Sequence, residues 1–92
     1  MYVLYILYSE RLDHYYVGYT NDLERRLSEH NRRKGKYTDR GIPWTLVYTE
    51  DYETKSDAEK REAYIKGRKS RLYIESLIQG SRSSAGRASR SF

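Results

Sequence analysis

The apolar and polar positions of this chain change period several times, and each change marks an element. From Tyr2 to Tyr8 every position is aromatic, β-branched or leucine, a composition that favours a pleated strand. Tyr15 to Tyr19 repeats that chemistry after a polar turn at Ser9 to Asp13, so the two runs are expected to form a hairpin. Alternation puts Val3, Tyr5 and Leu7 on one face. Thr20-Asn21-Asp22 then opens a helix, with Asn21 as its cap and Glu24 answering it, that runs to about Arg32 or Arg33. Lys34 to Pro43 reads as a basic, glycine-containing loop. Trp44 to Glu50 is a third strand, with Trp44, Leu46 and Tyr48 on one side and Thr45, Val47 and Thr49 on the other. After a connection at Asp51 to Lys55, Ser56-Asp57-Ala58-Glu59 fits a capping box for a second helix that Gly67 ends. Ser70 caps a last short helix, where Leu72 or Tyr73 with Leu77 and Ile78 close the core.

The order β-β-α-β-α-α predicts an α+β fold: a three-stranded, mainly antiparallel sheet flanked by helices. Residues 1–79 form its one domain. Residues 80–92 are a Ser/Arg/Gly tail too poor in apolar side chains to offset ordering entropy, and are expected to be disordered. A chain of 92 residues has no room for a second lobe. Without cysteine it has neither disulfides nor a thiolate zinc site. The N-terminal apolar run has no basic region ahead of it and stops at Ser9 and Glu10, which suits a buried strand of a cytoplasmic protein and not a signal peptide or membrane span.

Charge sharpens this picture only locally. The formal +5 falls to +2 once Arg82, Arg87 and Arg90 of the tail are set aside. What stands out is the crowding of Arg25, Arg26, Arg32, Arg33, Lys34, Lys36 and Arg40 in one stretch, and of Lys66, Arg68, Lys69 and Arg71 in another. Either run alone also fits a solvated helix face. The chain carries 11 tyrosines against one phenylalanine, so some phenols are expected to face water, phosphate or a metal-bound water.

Helix rotation separates neighbouring residues. With Leu23 at zero, Leu27 falls at about 40°, Arg26 at about −60°, His30 at about −20° and Arg25 at about 200°. Arg26 and His30 therefore border the stripe that faces the sheet, and Arg25 faces solvent. On the second helix, with Ala58 at zero, Ile65 falls at about −20°, Glu62 at about 40° and Glu59 at about 100°. Glu62 leans inward. A plain reading is a snorkelling Arg26, a hydrogen-bonded core His30 and an Arg26–Glu62 ion pair; the alternative is a polar site between two helices and a tyrosine-rich sheet.

The run Tyr2-Val3-Leu4-Tyr5-Ile6-Leu7, then Tyr16-Val17-Gly18-Tyr19-Thr20, then Asp22 to Leu27 with His30-Asn31, resembles the two tyrosine motifs and following helix of the GIY-YIG nuclease family. Pro43-Trp44, Leu46-Val47-Tyr48, Ala58, Arg61-Glu62 and Ile65-Lys66 continue the resemblance in order, over roughly Tyr2 to Ile78. It is nearest to the small stand-alone bacterial members, with the excision-repair nuclease domain and a Holliday-junction resolvase subunit more distant. Val3-Leu4-Tyr5 replaces Gly-Ile-Tyr, and Tyr16-Val17-Gly18 replaces Tyr-Ile-Gly; both tyrosines remain. Tyr19 stands where the excision-repair branch has lysine. At Gly18 the chain is expected to need room, for unusual backbone angles or for close approach of a phosphate.

The resemblance implies a metal-dependent DNA endonuclease with a role such as DNA repair. Tyr5, or Tyr16 in the alternative assignment, would take a proton from the attacking water, its pKa lowered by nearby cations. Arg26 would neutralise phosphate charge, His30 would orient a tyrosine or contact phosphate, and Glu62 would ligate a single Mg²⁺ or Mn²⁺. Lys66 would hold the scissile strand. Arg32, Arg33, Lys34, Lys36, Tyr37 and Arg40 would track the DNA backbone, giving selectivity for shape over sequence. The same residues would also serve a non-catalytic nucleic-acid-binding module that keeps the fold, and a protein-interaction domain is a third possibility.

Overall fold

In a computed structural model that describes residues 1–86, three strands form one antiparallel sheet in the order β2-β1-β3. The strands are β1 (Tyr2–Ser9), β2 (His14–Thr20) and β3 (Trp44–Tyr52). The helices are α1 (Leu23–His30), α2 (Lys55–Arg68) and α3 (Arg71–Gly86), with a 3-10 turn at Tyr37–Gly41. The order and class are those expected. Helical backbone continues past Gly80 to Gly86, and the rest of the expected tail, 87–92, lies outside the described residues.

The first strand is central because it is apolar on both faces: Leu4, Tyr5, Ile6 and Leu7 are all buried. Leu4 and Ile6 join Val17 and Ile65 in one cluster, closed by Tyr73, Ile74 and Leu77, so α2 and α3 cover that face. Tyr5 and Leu7 join Trp44 in a second cluster, packed by Leu23 and Leu27 of α1. Two covered faces explain why β1 shows no polar alternation.

Strand β3 departs from the expected alternation. Ile6 pairs with Tyr48 but Leu7 pairs with Leu46, so Val47 is the extra residue of a β-bulge. Trp44 and Leu46 stay with the Leu7 face, while Tyr48 is turned to the Ile6 face with Val47. The Glu50 carboxylate there accepts hydrogen bonds from the Tyr48 and Tyr52 hydroxyls and from Arg61 Nε (2.9 Å) and Nη2 (3.1 Å). Burial alone would raise the Glu50 carboxyl, and the donors from Arg61, Tyr48 and Tyr52 outweigh it, leaving Glu50 below the usual carboxylate range.

Three helix ends differ from the sequence expectation. Asp22, not Asn21, caps α1, accepting from Arg25 N. Thr54, not Ser56, caps α2, accepting from Asp57 N. That helix passes through Gly67 and ends at Lys69, whose φ of 49° closes it in the left-handed region. Ser70 caps α3 as expected, its Oγ accepting from Tyr73 N at 3.1 Å.

Candidate active site

Tyr5 sits in the middle of β1 opposite Gly18 of β2, and its ring fills the space that a side chain at 18 would take. A Cβ at Gly18 would lie 2.7 Å from the Tyr5 hydroxyl, 2.8 Å from Cζ and 3.3 Å from Tyr16 Cε1. Gly18 is buried and its φ is not positive. The close approach seen at Gly18 is that of Tyr5. Tyr16, two residues before Gly18, stacks on Tyr5 with centroids 6.4 Å apart and planes 17° apart.

The α1 helix delivers the next two groups as its rotation predicts. His30 Nε2 lies 3.2 Å from the Tyr5 hydroxyl, and its ring meets Tyr16 edge-on at 4.6 Å. One turn earlier, Arg26 turns inward; its Nε is buried and has no hydrogen-bond partner, and Nη1 lies 3.8 Å from Glu29. Arg25 is exposed beside Asp22. The expected Arg26–Glu62 pair is not formed: Glu62, mostly buried on α2, is met by Lys66 Nζ at 3.4 Å. Arg26 and Glu62 still meet electrostatically at Tyr5, the first favouring its ionised form and the second opposing it.

Arg26 by itself does not bring the Tyr5 phenol below its ordinary value. Burial pushes the Tyr5 phenol well above its ordinary value, Tyr16 adds to the rise, and the lowering by Arg26 is too small to reverse it. His30 moves the opposite way: burial first, then Lys34 and Arg26, hold its imidazole below the usual histidine value, with Glu29 opposing. At neutral pH the pair is therefore a neutral phenol hydrogen-bonded to a neutral imidazole, the tautomer of His30 setting which one donates.

The basic loop is ordered around one acid. The Asp39 carboxylate accepts the backbone N–H groups of Lys34 (2.8 Å), Gly35 (2.6 Å) and Lys36 (3.3 Å). Asn31 and Trp44 anchor its two ends, Asn31 Nδ2 donating to Trp44 O at 3.0 Å and Trp44 N to Asn31 Oδ1 at 2.6 Å. Arg32, Arg33, Lys34, Lys36, Tyr37 and Arg40 are all exposed, with Arg40 stacked 5.5 Å from the Tyr37 ring. They share no contact with the Tyr5 cluster beyond the charge that Lys34 exerts on His30.

Two cations went unread in the sequence. Arg11, alone in the β-hairpin turn, lines a hollow of about 410 Å³ with Arg33 and Arg40. Lys55 at the start of α2 faces Arg26 across a hollow of about 300 Å³ that Tyr19 also lines. Isolated lysines and arginines carry no sequence signal of their own. Among the described residues no three His, Asp or Glu side chains converge to hold a metal ion. The donor set suits a hard ion held by the single carboxylate of Glu62 and otherwise by water and phosphate.

Residues 1–74 match the family described as the GIY-YIG catalytic domain. The chain is 51% identical over 53 residues to the UPF0213 protein VNG_2274C of Halobacterium salinarum, covering 56% of this chain and 69% of that one. It is 45% identical over 65 residues to the UPF0213 protein YazA of Bacillus subtilis, covering 66% of each. A Streptococcus pneumoniae UPF0213 protein, 45% identical over 56 residues, is matched over 57% of its own length. Among solved structures, the UPF0213 protein BH0048 of Bacillus halodurans superposes with a TM-score of 0.54 at 29% identity, over 86% of this chain and 84% of that one.

Proposed function

This chain belongs to the GIY-YIG catalytic domain family, and from that premise we propose that it is a divalent-metal-dependent endonuclease that hydrolyses DNA phosphodiester bonds by shape and not by sequence. The observation that carries the reading is Arg26. Its Nε is buried without a hydrogen-bond partner, while the side chain as a whole is 43% exposed with Nη1 3.8 Å from Glu29; beside a tyrosine–histidine pair, such a guanidinium is placed to receive a phosphate oxygen.

Tyr5 and His30 divide the proton work. Tyr5 is too basic as a phenolate to be stocked in that form at neutral pH. Its hydrogen bond to a neutral imidazole offers another route: as water attacks phosphorus and gives its proton to the Tyr5 oxygen, the Tyr5 proton passes to His30 Nε2. The base is then the pair, and the net proton rests on His30. Tyr16 holds both rings through stacking and edge contact, and remains the alternative first acceptor. Arg26 takes charge on the phosphoryl oxygens. Glu62 would hold the single Mg²⁺ or Mn²⁺, which when bound supplies charge stabilisation at the leaving oxygen. The exposed cations from Arg32 to Arg40, with Arg11, present the surface for the DNA backbone.

One observation favours a binding module without turnover: Lys66 occupies Glu62. Incubating the protein with labelled duplex, single-stranded, flap and branched DNA, with Mn²⁺ or Mg²⁺ or chelator, separates the readings. Cleavage that needs metal and disappears in a folded Glu62→Ala variant is the expected result. Binding without cleavage on every substrate would select the module.

A further inference from the structure

A groove of about 550 Å³ runs between the outer edge of β2 and the corner where α2 passes into α3. Its floor is apolar, built from Val17 and Ile65, both buried, and from Ile74. Tyr15, packed on the same cluster, supplies an aromatic wall, and Tyr16, Lys66 and Lys69 also line it.

The wall is built in advance. Arg71 lies 5.1 Å from the Tyr15 ring centroid and is spent on Asp13 (2.6 Å) and Glu75 (3.0 Å), while the Tyr15 hydroxyl donates to Glu75 at 3.3 Å. Lys69 is exposed, its backbone committed to closing α2. Two residues link the groove to the candidate active site: Tyr16 lines it at the strand edge and stacks its ring on Tyr5 at the opposite face of the sheet, and Lys66 reaches Glu62. An apolar, aromatic-sided hollow with cations lining it matches one part of a nucleic acid, an unstacked base with its phosphate outside.

We infer that this groove receives an unpaired nucleobase adjoining the phosphate that is cut, with Lys69 on the backbone, so that strands single-stranded beside the cut are selected. The inference rests on the nuclease reading for the word "cut" and on the groove alone for the base.

The test needs no turnover. Methyl-detected NMR would follow titration of the metal-free protein with a five-residue oligothymidylate and with a five-residue abasic deoxyribose-phosphate strand. The oligothymidylate is expected to shift the Val17, Ile65 and Ile74 methyls, to give NOEs from thymine to them, and to bind at least about fivefold more tightly than the abasic strand. Lys69→Gly, which the left-handed backbone at that position accepts, is expected to weaken oligothymidylate severalfold at low salt without lowering the melting temperature. Equal binding of the two strands, or shifts confined to residues outside the groove, would overturn the inference. A protein that binds thymine in the groove but never cuts DNA defeats the nuclease reading and leaves the base site; cutting with no base in the groove does the reverse.

Discussion

Replacing Gly18 by alanine tests the centre of the site with a single methyl group. Its backbone conformation is open to alanine, so no φ penalty enters, and the loss of glycine's freedom in the unfolded chain would by itself stabilise by about 0.4–1 kcal/mol. Against this stands the contact. The new Cβ starts 2.7 Å from the Tyr5 hydroxyl and 2.8 Å from Cζ, and ordinary contact begins at 3.4 Å, so Tyr5 must retreat by at least about 0.7 Å. Overpacking of this kind costs about 1–3 kcal/mol, which leaves a net loss of up to about 2.6 kcal/mol and a melting temperature lower by up to about 20 °C in a domain of this size. Catalysis should suffer more than stability. The Tyr5–His30 hydrogen bond spans 3.2 Å before any retreat, and displacement approaching 1 Å in a reacting group costs up to about 10²-fold in rate. Thermal melts run beside single-turnover cleavage read both effects. Tyr5→Phe should not restore the packing, because Cζ remains within 2.8 Å of the new methyl. A Gly18→Ala protein that melts and cuts like the parent would refute the account of how Tyr5 is held.

Other consequences are as direct. Arg26→Ala should abolish cleavage while Arg25→Ala, at an exposed position, should only weaken DNA binding; equal loss of turnover rate in the two would overturn the placement of α1. If His30 takes the Tyr5 proton, the acid limb of the rate profile should fall below the ordinary histidine pKa of about 6.5, and His30→Gln should remove that limb along with most of the rate; an unchanged profile would exclude the relay. Glu50, with a lowered carboxyl pKa in the fold, contributes stability above its unfolded pKa that is lost as pH falls through the folded one. Tyr48 and Tyr52, pushed up to about 12 by burial and then by Glu50, contribute stability below about 10 that is lost as pH rises toward 12. Denaturant melts of Glu50→Gln should therefore show a flatter acid limb than the parent, and an identical limb would contradict the assignment.

The sequence carried the element order because each run's composition marked its type, even where packing changed which side its residues face, as in β3. The α1 site residues were equally legible: a helix is rigid enough that the 100° step separates Arg26 and His30 from Arg25. Where two neighbouring residues can both cap, as at Asn21 and Asp22 or Thr54 and Ser56, tertiary docking decides, and composition does not. The bulge at Val47 had no local signature, and a one-residue slip reverses every later side chain of the strand. That slip placed Tyr48 on the other face and assembled the Glu50–Arg61 cluster unannounced. The balance at Tyr5 is hidden for a related reason: nearby cations can be read from a sequence, whereas the burial that outweighs Arg26 exists only once α1 has packed.

Tyr5 lies on β1, Tyr16 on β2, Arg26 and His30 on α1, and Glu62 on α2. During synthesis the first four leave the ribosome well before the fifth, and the strand that bears Tyr5 gains its second neighbour only when β3 arrives. On the proposed mechanism, a nascent or truncated chain would hold every proton-handling group without the carboxylate, and cutting would wait for the completed fold.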